Sequence, residues 1–333
     1  MSEAHWPRPI DDDPGLSVWA TAQACARDQR AGRYLPGSLR HPGKMLPALA
    51  AHAIACHSRP GDLVLDPMCG IGTTLVEAVH QGRNAIGVEY EAGWAAFARA
   101  NLNLAASQHA PGHAQVITGD ARHLTRLVNP AIAGKVALVV TSPPYGSSTH
   151  GHARATRDTG QPGVRKRDHR YSRDPANLAH VGLPRLLAGF TTILAECAAL
   201  LRPDGIIVVT ARPWRHHGEL VDLPSAILHA GQQAGLVPVQ RCVALLAGLR
   251  GQGLIPRASF FQLHNIRQAR AAGVPQHLIA HEDIILLRPA DLPGGSPELK
   301  APQTEPTFLR ASSQGRGSRT GHSAAGHRLG WAA

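Results

Sequence analysis

The feature that most limits the fold of this chain is an alternation. Short apolar runs, many ending in a polar residue, take turns with stretches of helical period over most of its length. "DLVLD" (62–66), "NAIGVE" (84–89), "AQVITGD" (114–120) and "VALVVT" (136–141) read as the first four strands. "GIIVVT" (205–210), "LVPVQRCVAL" (236–245) and "EDIILLR" (282–288) read as later ones. Between them lie helices: one from Met45 over "MLPALAAHAIACHSR", then 73–82, closed by Gly82, 92–107, 183–201 and 219–234. A further short helix is expected at 18–26. Strands separated by helices can bury both faces only as a mostly parallel sheet with helices on each side, a doubly wound α/β fold. Ligands of such sheets bind beyond the carboxyl ends of the strands. The strand ends are therefore where chemistry is sought.

Composition sets the outer limits. The chain has 333 residues, 43% of them apolar and 17% charged, which is globular. Its five cysteines are scattered, without C-x-x-C or Cys/His zinc spacing. This argues for a reducing compartment and against a disulfide framework or a metal site. The polar start "MSEAHWPRPIDDDPG" is no secretory signal, and no apolar run approaches the ~20 residues that span a bilayer. A cytoplasmic protein is expected. Net charge is +11 with histidines neutral. An acidic polymer, most commonly nucleic acid, is a natural partner for such a surface. Residues 290–333, rich in Pro, Gly and Ser, cannot build a core and read as a disordered tail. That tail carries little of the charge, so the basic character belongs to the folded part. Residues 1–40 read as an N-terminal extension and 41–289 as the main domain.

The first strand runs into "LDPMCGIGTTLVEA" (65–78). Gly70 and Gly72 permit a tight turn and close approach to a ligand, and Thr73 and Thr74 open a helix. A bare G-x-G is weak on its own, and the full dinucleotide fingerprint is absent. Three acids sharpen it. Asp66 ends the first strand, where a carboxylate can accept from a ligand ammonium. Glu89 ends the second, where an acid can hold both hydroxyls of a ribose. Asp120 ends the third and can meet an adenine amine. Each alone reads as a cap or a solvated loop acid. Together, at successive strand tips, they favour an adenosine ligand with a cationic end.

"DPMCGIGTT", "GVE", "GDAR" and "TSPPYG", in that order, resemble the S-adenosylmethionine-dependent amino-methyltransferases. The nearest group is the N4-cytosine and N6-adenine DNA methylases. "HPGKMLP" (41–47) resembles the segment those enzymes place over the methionine end of the cofactor, and "HE" before the last strand resembles their C-terminal part. The resemblance spans about residues 34–289. It implies a Rossmann-like class I methyltransferase fold, with S-adenosylmethionine held by Asp66, Pro67, Cys69, Gly70, Gly72, Thr73, Thr74, Glu89 and Asp120. Cys69 is expected to pack rather than react. A 5-methylcytosine enzyme needs a nucleophilic cysteine where this chain has Ser142, so that route is set aside.

The resemblance makes Ser142, Pro143, Pro144 and Tyr145 the catalytic turn. An exocyclic amine is a poor nucleophile because its lone pair is delocalised into the ring. The Ser142 hydroxyl and the Pro143 carbonyl can accept from its N–H groups. The two prolines stiffen the turn, and Tyr145 offers a ring for a flipped base, worth about 1–3 kcal/mol. Residues 147–180 hold seven Lys and Arg: Arg154, Arg157, Arg165, Lys166, Arg167, Arg170 and Arg173. No helical or strand period is visible there, and the stretch reads as a flexible basic loop that captures phosphate. The resemblance implies DNA as substrate in a restriction-modification setting, with N4-cytosine favoured over N6-adenine because Ser, which stands at 142, is the usual residue there in the family's N4-cytosine enzymes. Having the cofactor half first also occurs in tRNA guanine-N2 methylases. Those usually carry an RNA-binding domain ahead of the catalytic one, and the 40 residues before "HPGKM" are too few for it. RNA guanine remains the alternative substrate, and a catalytically silent nucleic-acid-binding module the alternative class.

Overall fold

The computed structural model describes residues 15–145, 152–155, 164–167, 174–216, 219–258 and 260–290. In chain order the elements are β1 (Val18–Trp19), α1 (Ala26–Arg30), α2 (Pro47–His57), β2 (Leu63–Asp66), α3 (Thr73–His80), β3 (Asn84–Glu89), α4 (Ala92–Ser107) and β4 (Ala114–Thr118). Then come α5 (Leu124–Leu127), β5 (Val136–Thr141), β6 (His152–Ala155), β7 (Val164–Arg167), α6 (Leu183–Ala198), β8 (Leu201–Ala211), β9 (Trp214–His216) and β10 (Glu219–Val221). The chain continues through α7 (Leu223–Gln233), β11 (Leu236–Leu245), β12 (Ala247–Arg250), β13 (Gly253–Pro256), α8 (Phe260–Ala271) and β14 (His281–Pro289).

Eight strands form one sheet in the order β1-β11-β14-β8-β5-β2-β3-β4. Only β14 runs against its neighbours, pairing antiparallel with both β11 and β8. The expected mostly parallel, doubly wound sheet is therefore present. The order reverses at β2 and β5, which are adjacent in the sheet but far apart in sequence. Such a reversal opens a crevice at the strand ends.

The alternation of side chains along the strands explains the layering. Ile207 and Val209 of β8, with Ile285 and Leu287 of β14, face a core shared with Phe190, Ile193 and Leu194 of α6 and Ile227 of α7. Val208, Ile284 and Leu286 face the other way, against Leu49 and Ile54 of α2, Leu75 of α3 and Ala95 and Ala98 of α4. Full burial of each such Leu, Ile, Val or Phe side chain contributes roughly 1.5–3 kcal/mol. Parallel strands buried on both faces need apolar residues at every position, and β5 is buried from Val136 to Thr141.

Four segments differ from the sequence reading. The helix expected at 18–26 is instead strand β1 followed by the short α1. Val18 and Trp19 pair with Val243 and Ala244 on the open edge of the sheet, and Trp19 buries its ring against His52. The helix expected from Glu219 begins at Leu223. The Asp222 side chain accepts from the Ser225 N–H and Pro224 occupies the first turn, while Glu219–Val221 pairs with Trp214–His216. Inside the basic stretch, expected to lack structure, β6 and β7 form an antiparallel pair with Arg154 opposite Arg165. Finally, β12, β13 and α8 lie where no element was expected. These strands owe their form to a cross-strand partner, which a period within one segment does not reveal.

Candidate active site

A cavity of about 410 Å³ opens at the carboxyl ends of β2, β3, β5 and β8. Its size suits a small ligand. Antiparallel β14 brings its first residues to the same side, so Glu282 joins the lining.

The glycine turn forms the floor. Gly70 and Gly72 have φ of +54° and +80°, a conformation that L side chains resist. A Cβ on Gly70 would stand 3.2 Å from the His41 ring, and one on Gly72 would stand 3.2 Å from Ala98 Cβ. Asp66 and Glu89 brace this turn from two adjacent strand tips. Asp66 accepts from Thr74 Oγ1 at 2.7 Å, from Thr141 Oγ1 at 3.1 Å and from the Met68 N–H at 3.1 Å. Glu89 accepts from the Gly70 N–H at 2.8 Å and the Glu91 N–H at 2.9 Å. Burial pushes Asp66 up to about 6 and Glu89 up to about 7, although these hydrogen bonds pull the other way. Pro67, Cys69 and Thr73 line the same cavity. Burial, reinforced by Asp66 and Glu89, raises the Cys69 thiol well above its usual range, so it stays a protonated packing residue.

Asp120 also lines the cavity, but its carboxylate is engaged. It accepts from the Arg122 N–H at 3.0 Å and from the Arg122 guanidinium at 2.6–3.0 Å. Partial burial opposes ionisation, yet Arg122 outweighs it and holds Asp120 below the usual carboxylate range. An adenine amine here meets an acid already shared with Arg122.

Across the cavity stand Ser142, Pro143, Pro144 and Tyr145. The Tyr145 ring is held from two sides. Trp214 meets it edge-on at 6.0 Å between ring centroids, and Arg212 Cζ lies 5.5 Å from its centroid. Of the seven basic residues, Arg154, Arg165, Lys166 and Arg167 lie on β6 and β7. Arg157, Arg170 and Arg173 lie outside the described residues, as do tail residues 291–333.

Sequence reasoning missed several contributors. Arg212 and Glu282 line the cavity beside Tyr145; burial raises the Glu282 carboxyl, and Arg212 partly offsets this. Asn177 also lines the cavity. Its amide donates to Glu91 Oε1 at 2.6 Å, and nearby the Tyr90 hydroxyl donates to Asp174 at 2.6 Å. The stretch treated as an extension braces the turn from behind. Arg33 forms a two-bond ion pair with Glu77 of α3, at 2.9 and 2.7 Å, and the Tyr34 hydroxyl donates to the same carboxylate at 2.7 Å. No motif marked these residues. The nearest signal was the unusual concentration of arginine and aromatic residues before "HPGKM". Residues 41–46 line the cavity as the motif implied; burial, with Arg30 nearby, lowers Lys44 to about 8.

A DNA methylase family model, that of the N6/N4 methyltransferases, matches residues 9–99. That stretch is similar to the N6/N4 DNA methylases. The match holds the glycine turn, Asp66 and Glu89, and ends before Ser142. A tRNA (guanine(10)-N2)-dimethyltransferase of Methanocaldococcus jannaschii is 36% identical over 110 residues, 33% of this chain and 31% of that protein. The Type II methyltransferase M.MjaII of the same organism is 31% identical over 71 residues, 21% of this chain and 13% of that protein. The chain thus spans less than a third of the length of these relatives. The crystal structure of TrmN from Thermus thermophilus is 19% identical, with a TM-score of 0.46, over 79% of this chain and 53% of that one.

S-adenosylmethionine is the cofactor of the methylase segment, and the residues present fit it. Gly70 lines the cavity, and at positive φ with no Cβ it lets the backbone turn there against the His41 ring. Two buried carboxylates at neighbouring strand tips match its ammonium and ribose hydroxyls. Among the described residues, no group of His, Cys, Asp and Glu is arranged to hold a metal ion, and no helix is long and apolar enough to cross a membrane.

Proposed function

We propose that this protein is a DNA methyltransferase that uses S-adenosylmethionine to methylate an exocyclic amine of a flipped base, N4 of cytosine before N6 of adenine. One observation carries the reading. The Ser142–Tyr145 turn opens onto the same cavity as Asp66 and Glu89. A base in front of that turn therefore meets the cofactor's methyl group.

The cofactor supplies an electrophilic methyl on a sulfonium. The protein's part is to hold and orient the amine. Asp66 and Glu89 anchor the cofactor. The Ser142 hydroxyl and the Pro143 carbonyl accept from the amine's N–H groups, which aims its nitrogen at the methyl carbon. Pro143 and Pro144 fix the backbone, so the acceptors need no reorganisation during transfer. The base stacks on Tyr145, whose ring Trp214 and Arg212 hold in place. No general base is required, because the methylated ammonium loses its proton to water. A hydroxyl at 142 also donates, which suits the acceptor N3 beside the cytosine amine. The basic β6–β7 pair contributes phosphate contacts. The scattered cysteines suit a reducing cytoplasm.

The second reading, a guanine-N2 methyltransferase acting on tRNA, is favoured by the relatedness to the M. jannaschii tRNA enzyme. The test is mass spectrometry of nucleosides after incubation with S-adenosylmethionine and either DNA or tRNA. N4-methylcytosine in DNA is the expected product. N6-methyladenine alone would overturn the base assignment, and N2-methylguanine in tRNA would overturn the substrate. No product from either would favour a silent binding module. Ser142→Ala should lose turnover far more than cofactor affinity; full turnover would sink the role of Ser142.

A further inference from the structure

Strands β12 and β13 form a two-stranded hairpin outside the main sheet, closed by Gly251 and Gln252. Its register places Leu249 opposite Leu254, so both point to one face. Leu249 is 54% exposed and Leu254 is 53% exposed, while Ile255 on the other face is 37% exposed. An isolated hairpin is marginal in water, and an apolar one still costs solvation. This one is fastened to the segment before α1. Arg257 donates to the Gln23 carbonyl at 2.7 Å, and the Leu249 N–H donates to Gln23 Oε1 at 3.2 Å. Thr21 Oγ1 donates to the Leu245 carbonyl at 2.9 Å. The fastening lies at the cavity, since Ala22, Leu246 and Arg257 are part of its lining. The hairpin thus rises from the rim of the proposed active site.

Charge identifies the occupant of this surface. No Asp or Glu stands between Asp222 and Glu282, whereas Arg250, Arg257, Arg267 and Arg270 do, and a fifth arginine, Arg241, is paired with Asp283. Arg250 sits at the hairpin's end, exposed, next to the apolar pair. Exposed leucines among arginines, with no carboxylate in this stretch, suit a polyanion with a stacked apolar interior. A nucleic-acid duplex is such a polymer. Apolar side chains that enter a base step unstack it, and neighbouring arginines take the flanking phosphates.

We propose that the β12–β13 hairpin is a wedge: Leu249 and Leu254 enter the duplex beside the target and fill the gap left when the base turns into the cavity. This rests on the DNA methyltransferase reading. It requires that the hairpin matter for a base that must be unpaired and not for one already unpaired.

The test is the double variant Leu249→Ser, Leu254→Ser in the full chain, compared with wild type on two duplexes. The first carries the target base, identified by product mapping, in its normal pair. The second has an abasic site opposite that base. Both substituted side chains are exposed, so the melting temperature should hold. Opening a base step costs a few kcal/mol, so label transfer from tritiated S-adenosylmethionine should fall at least about tenfold on the paired duplex. On the abasic duplex it should stay within about twofold of wild type. Equal losses on both duplexes, or no loss on either, overturn the wedge. So does sedimentation showing a wild-type dimer that the variant dissolves, since the surface would then serve self-association. A wild-type protein that transfers nothing to either duplex overturns the underlying reading as well, which is a separate outcome from an active enzyme indifferent to the hairpin.

Discussion

In the proposed site Asp66 and Glu89 would brace the glycine turn and hold the cofactor, and the two duties can be separated by pH. Burial places both folded values, about 6 and about 7, above the ordinary 3.8 and 4.5. Between roughly pH 4 and pH 7 the cofactor-free fold therefore retains protons that the unfolded chain has released. Stability should fall as pH rises through that window and then level off. Cofactor affinity should move the opposite way, because an ammonium and ribose hydroxyls prefer the ionised acids. Thermal melts of cofactor-free protein at pH 5 and pH 7.5 test the first statement, and calorimetric titration over the same range tests the second. Glu89→Ala should weaken S-adenosylmethionine binding about ten- to hundredfold, the scale of a lost charge-assisted hydrogen bond. Asp66→Ala should do the same and also lower the melting temperature, because Thr74 and Thr141 lose a buried acceptor. Wild-type affinity in both variants would remove these acids from the cofactor site.

At the level of elements, strand β7 and the segment after it are expected to serve two tasks, phosphate contact and closure of the cavity. β7 carries Arg165, Lys166 and Arg167 in succession. Replacing all three by Ala should weaken DNA binding and flatten its salt dependence, by about 0.9 in log–log slope for each phosphate no longer neutralised. Affinity for S-adenosylmethionine should be unchanged. A salt titration of binding that keeps the wild-type slope would show that β7 does not touch phosphate. A few residues on, Asp174 and Asn177 fasten the chain to Tyr90 and Glu91 above the cofactor cavity. Tyr90→Phe removes one of these fastenings without touching the glycine turn. It should raise the dissociation rate of the cofactor, read by stopped-flow fluorescence, while leaving the melting temperature near wild type.

For the whole molecule, the sheet order determines which residues can share a cavity. Because β14 runs antiparallel between β8 and β11, Glu282 at its start reaches the side where β8 ends in Ala211, and Arg212 follows. The same geometry puts Leu246, at the end of β11, on the cavity rim. Residues 295–333 add little apolar surface that could be buried. Their deletion should leave both the melting temperature and turnover close to wild type. A large loss of activity in the truncated protein would give that segment a part in the reaction.

The order of residues along the chain was enough for the parts that repeat or that chemistry demands. The alternating runs yielded the parallel sheet because strands buried on both faces must be mostly apolar, as β5 is from Val136 to Val140. The strand-end places of Asp66, Gly70, Glu89 and the Ser142–Tyr145 turn could be read from the sequence, and the folded chain gathers them around one cavity, where such sheets bind ligands. Whatever depends on a distant partner was fixed only by the folded arrangement. Arg33 and Tyr34 brace the cofactor turn through Glu77, more than forty residues away. Arg122 takes the Asp120 carboxylate, Arg212 and Glu282 join the cavity from strands late in the chain, and β1 exists because an open sheet edge was available. A period within one segment reports which face is buried. It carries no record of which remote residue completes a hydrogen bond or closes a cavity, since those pairings arise from the order in which strands assemble.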